Sequence, residues 1–309
     1  MNPLRHALIG YLAVRRALGY TLVRPEKLLA QLLSYVEARG ETHLCIETIV
    51  AWATLPRGTD RSWCSLRLSV ARGFASHVHA IDPVTEVPPT DLLPWHRCRA
   101  TPYLYSDDDV AALLATTEVM LRPAHRVATY RTLIGLLAAT GLRVGEALAL
   151  DCEDVDAREG VLTIRRGKFG KSRELPVQAS TMDALRHYLG RRDRPRAEAR
   201  TPAVFVSTAG TRLLYCNVHW TFHRVVHRAS LTPRSAACRP RIHDLRHRFA
   251  VATILDSYRQ GEDPQARLAL LSTYLGHVDP RHTYWYLSAA PELLGLAGDR
   301  LQRHLGGAS

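Results

Sequence analysis

Residues 139–150 read ATGLRVGEALAL and join two helices through a short break. The apolar segment Tyr130–Thr140 predicts a helix that ends at Gly141, and residues 142–150 begin a second helix with Arg143 at its mouth. The backbone N–H groups that open this second helix and the guanidinium group of Arg143 can converge on one anion. The break is therefore a candidate phosphate site, although exposed arginines are common and the motif alone is weak.

The composition indicates a globular protein with a polyanionic partner. The chain has 309 residues, of which 46% are hydrophobic and 23% charged, and this excludes a mainly disordered or fibrous protein. Lys plus Arg number 41 against 29 Asp plus Glu, and the formal net charge of +12 favours nucleic acid as the partner. No apolar run approaches the roughly 20 residues of a membrane span, and arginines interrupt the apolar N-terminus, so we expect a cytoplasmic protein without membrane partners.

Cysteine and lysine usage point to two further properties. The six cysteines are scattered without a C-x-x-C pair, which favours reduced, buried thiols over a disulfide framework or a zinc site. Only three of the 41 basic residues are lysines, and two of these, Lys168 and Lys171, lie in the segment RRGKFGKSR. The excess of arginine is also what a GC-rich genome would produce. Because lysine can release a proton and arginine cannot, the segment is a candidate for acid chemistry.

The chain divides into a helical N-terminal region and a mixed C-terminal region. Apolar residues at helical spacing predict four or five helices within residues 1–84. Residues 85–102 are rich in proline and predict an extended linker. The second domain then spans residues 103–309, where Ser106 and the three aspartates after it predict the start of a helix.

The second domain is predicted to be mainly helical with a small sheet. Val161–Arg165 and Arg173–Val177 flank a glycine-containing turn and predict a β-hairpin. Val204–Val206 is a candidate short strand, and helices continue toward the C-terminus. The predicted fold class is therefore mainly α with a small β-sheet, an α+β domain preceded by a helical one.

Two further motifs lie downstream. Residues 241–249 read RIHDLRHRF, in which His243 and Arg246 share one helix face. Residues 275–277 read LGH and are followed by Tyr284 and Tyr286. A histidine after a glycine can simply cap a helix, and the tyrosines can belong to the core, so each motif is ambiguous by itself.

Together, six positions resemble the tyrosine recombinases, also called the phage integrase family. In chain order these positions are Arg143, Lys168, His243, Arg246, His277 and Tyr286. The flanking segments A-T-G-L-R-V-G-E, G-K-x-x-K-x-R-x-x-P and H-D-L-R-H also resemble the family's motifs. The resemblance covers the second domain, and the N-terminal helices are similar, less specifically, to the family's core-binding (SAM-like) DNA-binding domain.

The resemblance implies a shell of residues around a scissile DNA phosphate. Arg143 and Arg246 would hold its non-bridging oxygens, and His243 and His277 would complete the shell and help to manage protons. Family members often carry Trp or Lys where this chain has His277. Glu146, one turn after Arg143, would orient that arginine.

The resemblance also implies the reacting groups. Tyr286 would be the nucleophile, a role for which the spacing from His277 favours it over Tyr284. Lys168 would protonate the leaving 5′ oxygen, and Lys171 would contact the DNA backbone.

The implied function is site-specific DNA recombination or integration on double-stranded DNA sites. Strands would be cut and rejoined through a 3′-phosphotyrosine intermediate, without metal, ATP or another cofactor, by a homo-tetramer in the bacterial nucleoid. The tail after Tyr286 docks either on a neighbouring protomer or on its own domain. Two other interpretations stay open: a type IB topoisomerase-like nicking and closing enzyme, and a DNA-binding accessory protein without activity.

Overall fold

The computed structural model describes residues 3–55, 61–93, 100–165, 172–191, 193, 201–277, 279, 283, 295, 298 and 302. The chain forms two compact units, Met1–Arg99 (the N-terminal unit) and Ala100–Ser309 (the C-terminal unit). Lys168, Lys171, Tyr284 and Tyr286 lie outside the described residues.

The N-terminal unit consists of four helices around one apolar core. The helices are α1 (Pro3–Ala17), α2 (Val23–Ala38), α3 (Ile46–Thr54) and α4 (Arg61–His79). Leu29, Leu32 and Leu33 of α2 have no exposed surface, because their spacing places them on one helix face against the other three helices. The bounds of α3 and α4 agree with the helical spacing of the sequence.

Residues 85–93, part of the predicted linker, belong to the N-terminal unit and contact its helical part. The backbone N–H of Glu86 donates to the carbonyl of Leu44 at 2.8 Å, and its carboxylate accepts from the backbone N–H of Ile46 at 2.7 Å. Arg72 donates to the carbonyls of Pro88 and Pro89. The linker function of residues 85–102 stays a prediction.

The C-terminal unit contains seven helices and a small sheet among its described residues. These elements are α5 (Asp107–Met120), α6 (Ala124–Thr140), α7 (Val144–Ala149), a 3-10 turn (Cys152–Asp154), β1 (Val155–Asp156), β2 (Val161–Ile164), β3 (Arg173–Pro176), α8 (Ala179–Leu189), α9 (Tyr215–Arg228), α10 (Asp244–Arg259) and α11 (Pro264–Leu275). Helix α6 packs against α5, α8 and α10 and is the centre of the unit. The predicted class, mainly α with a small β-sheet, is confirmed.

The sheet has three antiparallel strands in the order β1-β2-β3. The hairpin of β2 and β3 is the predicted one, and Leu162 pairs with Leu175 while Ile164 pairs with Arg173. Leu162, Ile164 and Leu175 are buried, so the sheet has one apolar face on the core. The pairing also fixes Arg173 at the first residue of β3.

The prediction of a strand at Val204–Val206 is wrong. Val206 makes an isolated bridge with Arg212, and Ala203 makes another with Asp151. These buried apolar residues tie a loop to the core without forming a ladder, and a short apolar run does not distinguish the two cases.

Helix ends lie at the positions from which the candidate site is built. Ser106 caps α5 at the predicted helix start, and it forms a capping box with Asp109. Gly141 ends α6 and Gly276 ends α11, both with left-handed backbone. In the part of the chain that the structure describes, no helix is both long and apolar enough to cross a membrane.

Candidate active site

Two glycines shape the helix ends of the site. Gly141 has φ +61° and Gly276 has φ +68°, a conformation in which side chains with a Cβ are strained. A Cβ on Gly141 would lie 2.5 Å from the Phe249 ring, and a Cβ on Gly276 would lie 2.9 Å from the Arg173 guanidinium. Both positions therefore need glycine for backbone conformation and for space.

The end of α11 leaves carbonyl groups available as acceptors. The backbone N–H groups of Gly276 and His277 donate to the carbonyls of Thr273 and Ser272, which is the Schellman arrangement. The carbonyls of Leu275 and Gly276 follow in the chain and are not the acceptors of these two bonds. A helix C-terminus also favours positive charge near it. The two arginines that the sequence predicts for the phosphate shell both reach this helix end.

Arg246 lies at the start of α10 and is 2% exposed. Its Nη1 donates to the carbonyl of Gly141 and its Nη2 to the carbonyl of Leu275, both at 2.8 Å. The same Nη2 lies 3.0 Å from Nε2 of His277. Arg246 is thus held by the C-terminal ends of two helices, α6 and α11.

Arg143 lies at the start of α7 and keeps more exposed surface, 24% of its side chain. Its Nη1 donates to Oε1 of Glu146 at 2.6 Å, and its backbone N–H donates to Oε2 of the same carboxylate at 3.2 Å. Its Nη2 reaches the carbonyl of Gly276 at 3.5 Å. Glu146 therefore holds Arg143 through two contacts, and both arginines of the predicted shell reach residues 275–277.

Arg173 is a third arginine of the site, and sequence reasoning did not single it out. Its Nη2 and Nη1 lie 2.9 and 3.3 Å from the two oxygens of Glu146, and its Nε donates to the carbonyl of Tyr274 at 3.0 Å. The arginine of the K-x-R-x-x-P segment was the available signal. Arg173 links the first residue of β3 to α7 and to the end of α11.

Glu146 is shared by two arginines. Burial opposes ionisation of its carboxyl group, but the hydrogen bonds and charges of Arg173 and Arg143 outweigh burial and lower the pKa of Glu146 below its ordinary value. The carboxylate is 6% exposed and accepts two contacts on each oxygen. It is therefore ionised at neutral pH and fixes both guanidinium groups.

His277 occupies the position directly after Gly276. Because its Nε2 faces a donor of Arg246, this nitrogen accepts, and the proton lies on Nδ1. Nδ1 then donates to Oγ1 of Thr283 at 2.7 Å, and Thr283 is 1% exposed. The arrangement assigns the imidazole to the neutral Nδ1–H tautomer.

His243 directly precedes α10. Desolvation by the protein atoms around its ring, followed by the positive charges of Arg246, Arg143 and Arg241, lowers the pKa of His243 to about 4. His243 is therefore near both arginines of the predicted shell and is neutral at pH 7. His247 packs edge-to-face on it with ring centroids 5.0 Å apart.

The start of α10 is held by an ion pair whose carboxylate is buried. Asp244 has no exposed surface and accepts from the backbone N–H, Nε and Nη2 of Arg241. The carbonyl of Arg241 accepts in turn from the hydroxyl of Tyr105 at 3.1 Å. These bonds fix the helix start from which His243 and Arg246 project.

The structure thus brings together the predicted residues Arg143, Glu146, His243, Arg246 and His277, and adds Arg173. The cluster carries three guanidinium groups against one carboxylate, so it suits an anion such as a phosphodiester. Lys168, Lys171 and Tyr286 fall outside the described residues. Within the described ranges, no group of three or more His, Cys, Asp or Glu side chains is arranged to hold a metal ion.

Comparison with known proteins identifies the family. The family model described as "Phage integrase family" matches residues 104–292. The chain belongs to the phage integrase family. It is a tyrosine recombinase, a DNA-binding enzyme of the class that breaks and rejoins DNA strands.

Individual relatives agree with this assignment. The putative integrase/recombinase y4rB of Sinorhizobium fredii is 41% identical over 312 residues, which cover 98% of each chain. Tyrosine recombinase XerD of Ralstonia nicotianae is 34% identical over 196 residues, covering 62% of this recombinase and 58% of that protein. The fold is similar to that of XerH site-specific recombinase bound to palindromic difH substrate, with a TM-score of 0.62, 19% identity, and coverage of 90% of this chain and 78% of that one.

Proposed function

We propose that this recombinase is site-specific and exchanges DNA strands through a covalent 3′-phosphotyrosine intermediate. The observation that supports the proposal is the convergence of Arg143 and Arg246 on the carboxyl end of α11, at Gly276 and Leu275. His277 follows directly in the chain, and Tyr286 lies nine residues later. One helix end therefore links the phosphate-binding groups to the proposed nucleophile.

The proposed reaction is a phosphoryl transfer with Tyr286 as nucleophile. Its phenolic oxygen attacks phosphorus while the bond to the 5′ oxygen breaks. Lys168 protonates that leaving oxygen, and the tyrosine proton passes to a neighbouring base. A 5′-hydroxyl from the other DNA then attacks the phosphotyrosine in the reverse step, so no net phosphodiester bond is lost and no ATP is needed.

The arginine cluster supplies the charge that this chemistry requires. Negative charge accumulates on the non-bridging oxygens in the transition state, and preorganised cations stabilise it. The guanidinium groups of Arg143 and Arg246 are held by carbonyl acceptors and by Glu146 before DNA binds. The proposal therefore needs neither a metal nor another cofactor.

The proposed partners are two double-stranded DNA sites and three further copies of the chain. Exchange between two duplexes cuts four strands, and each chain supplies one Tyr286. Four protomers, a homo-tetramer, account for this stoichiometry. The net charge of +12 favours DNA binding with a strong dependence on salt.

The test is capture of the covalent intermediate. Purified protein is incubated with a pool of nicked duplexes that carry randomised cores, denatured with detergent, and separated by electrophoresis. A nick near the cleavage position lets the short fragment that carries the new 5′-hydroxyl diffuse away. The strand then cannot be rejoined, so the protein stays attached. Sequencing the attached DNA gives the target site, which then serves for a two-site plasmid assay.

Two tyrosine variants make the test specific. Tyr286→Phe should abolish the adduct and keep DNA binding, whereas Tyr284→Phe should still form it. Loss of the adduct in Tyr284→Phe alone contradicts the assigned nucleophile. Plasmid relaxation without recombinant products contradicts strand exchange and favours a nicking and closing enzyme.

A further inference from the structure

Helix α9 carries a row of histidines on its exposed face. His219, His223 and His227 are spaced four residues apart and are all exposed. The opposite face is apolar, and Val218 and Phe222 on it are buried in the core. The packed face fixes the helix, so the histidine face has a defined geometry. None of the residues of the candidate active site belongs to α9.

Two of these histidines face one another through the same ring atom. Nε2 of His219 lies 3.1 Å from Nε2 of His223. The ring centroids are 4.4 Å apart, and the ring planes meet at 67°. The two Nε2 atoms therefore lie side by side on the exposed face of the helix.

This separation is the one that a metal chelate requires. Imidazole nitrogens bind Zn²⁺ at about 2.0–2.1 Å, so two of them are about 3.0 Å apart at a right angle and about 3.4 Å apart at a tetrahedral angle. The observed 3.1 Å lies within this interval. We propose that His219 and His223 form a two-nitrogen site for a divalent transition metal ion on the exposed face of α9.

The protonation of the pair is compatible with metal binding. At 3.1 Å one Nε2–H donates to the lone pair of the other Nε2. Binding requires both Nε2 lone pairs, so the donor ring moves its proton to Nδ1 and no proton is released.

The donor set decides the class of ion. Imidazole nitrogen suits Zn²⁺, Ni²⁺ and Cu²⁺, whereas Mg²⁺ and Ca²⁺ prefer oxygen ligands. Among the residues that the structure describes, no third His, Cys, Asp or Glu completes a group of three with the pair. Water then fills the remaining positions, and the site is an open, exchangeable one.

The test is a Ni²⁺ titration by calorimetry on the full chain, with three matched variants. His219→Asn and His223→Asn each remove one ligand, and His227→Asn removes an exposed histidine of the same helix. Because the second imidazole binds intramolecularly, loss of either ligand should weaken Ni²⁺ binding by at least about tenfold, while His227→Asn leaves the affinity unchanged. Circular dichroism of each variant verifies that the helix is intact.

Each result decides the proposal. Equal Ni²⁺ affinity in wild type, His219→Asn and His223→Asn overturns it, because the ion then binds elsewhere among the 15 histidines. A loss in His227→Asn as large as that in His219→Asn also overturns it, since the ligands would then not be this pair. The adduct assay with Tyr286 is independent of both outcomes.

Discussion

Replacing Glu146 by Gln tests whether one buried carboxylate holds two arginines of the site. The substitution keeps size and shape but removes the charge. Glutamate accepts four contacts, two from Arg143 and two from Arg173. Glutamine keeps one acceptor oxygen and turns an NH₂ group toward the remaining donors, so two of the four contacts become donor against donor.

The magnitude follows from burial. Removing one partner of a buried ion pair costs about 3–5 kcal/mol, and each charge-assisted hydrogen bond contributes about 1.5–3 kcal/mol. The side chains of Arg143 and Arg173 are 24% and 16% exposed, so water partly replaces the lost acceptor. We therefore expect the lower end, about 3 kcal/mol in the free energy of unfolding of the C-terminal unit.

The lowered pKa of Glu146 determines how its contribution to stability changes with pH. The pKa of Glu146 is lowered in the folded protein, so the unfolded chain binds its proton more readily. The stabilisation is complete above the ordinary value of 4.5 and disappears as the pH falls through the lower folded value. Wild type and Glu146→Gln should therefore differ most at pH 7 and converge in acid.

The assay is urea unfolding, monitored by hydrogen exchange of peptides from α6 and α10. These peptides report on the C-terminal unit alone, which matters because a chain with two units can unfold in more than one transition. The matched control is Glu153→Gln. Glu153 is 68% exposed and lies 3.2 Å from Arg165, so its loss should cost less than about 1 kcal/mol. In the same preparation, covalent adduct formation by Glu146→Gln should fall about 10²-fold, because Arg143 loses its orientation.

A double variant tests whether Glu146 and Arg173 stabilise the unit through their mutual contact. If Glu146 and Arg173 act as a pair, the combined variant Glu146→Gln/Arg173→Gln is less destabilised than the sum of the single variants. Additive effects, or a loss in Glu146→Gln no larger than that in Glu153→Gln, refute the idea of a shared carboxylate.

Three other predictions follow from the same geometry. Gly141→Ala should destabilise the C-terminal unit by about 2 kcal/mol or more, since φ is +61° and the new Cβ meets Phe249. In the control Gly135→Ala, within α6, the new Cβ has open space and should stabilise the unit by about 0.5–1 kcal/mol. Thermal unfolding measures both changes. The His243 imidazole should stay neutral at pH 7 with a pKa of about 4, and phosphate bound to the neighbouring arginines should raise that pKa. An NMR titration of the ring with and without phosphate measures the change. A pKa that does not rise with phosphate contradicts the position assigned to the anion. Adduct formation should persist in EDTA, and a loss restored by Mg²⁺ contradicts chemistry based on Arg143 and Arg246.

The sequence predicted most of the fold because local signals and tertiary packing agree. The helices of the N-terminal unit and the hairpin of β2 and β3 follow from apolar periodicity and from turn residues. Val204–Val206 did not follow this rule, because a short buried run carries no information about whether its backbone pairs in a ladder or ties a loop to the core. The two-residue strand β1 was missed for the same reason, since it is too short to show alternation.

The sequence pointed to five residues that lie together in the structure, but not to the contacts between them. Arg143, His243 and Arg246 were found by motif, and each motif lies at a helix start where a side chain can reach an anion. The role of Arg173 depends on a strand register that places it 2.9 Å from Glu146, and on an approach to Gly276 that only glycine permits. Such contacts join residues 27 and 103 positions apart, and sequence spacing does not encode them.

The acceptors of Arg246 explain how the site can be rigid and still bind an anion. The carbonyls of Gly141 and Leu275 and the neutral ring of His277 fix the direction of the guanidinium group without cancelling its positive charge. A carboxylate in the same place would fix the direction equally well but would repel the phosphate that the site has to bind. The one carboxylate of the cluster, Glu146, is shared by two other arginines, so positive charge remains in excess where negative charge develops during phosphoryl transfer. The left-handed glycines at the ends of α6 and α11 are thus part of the electrostatic design, because they present backbone carbonyls where a charged side chain would weaken binding.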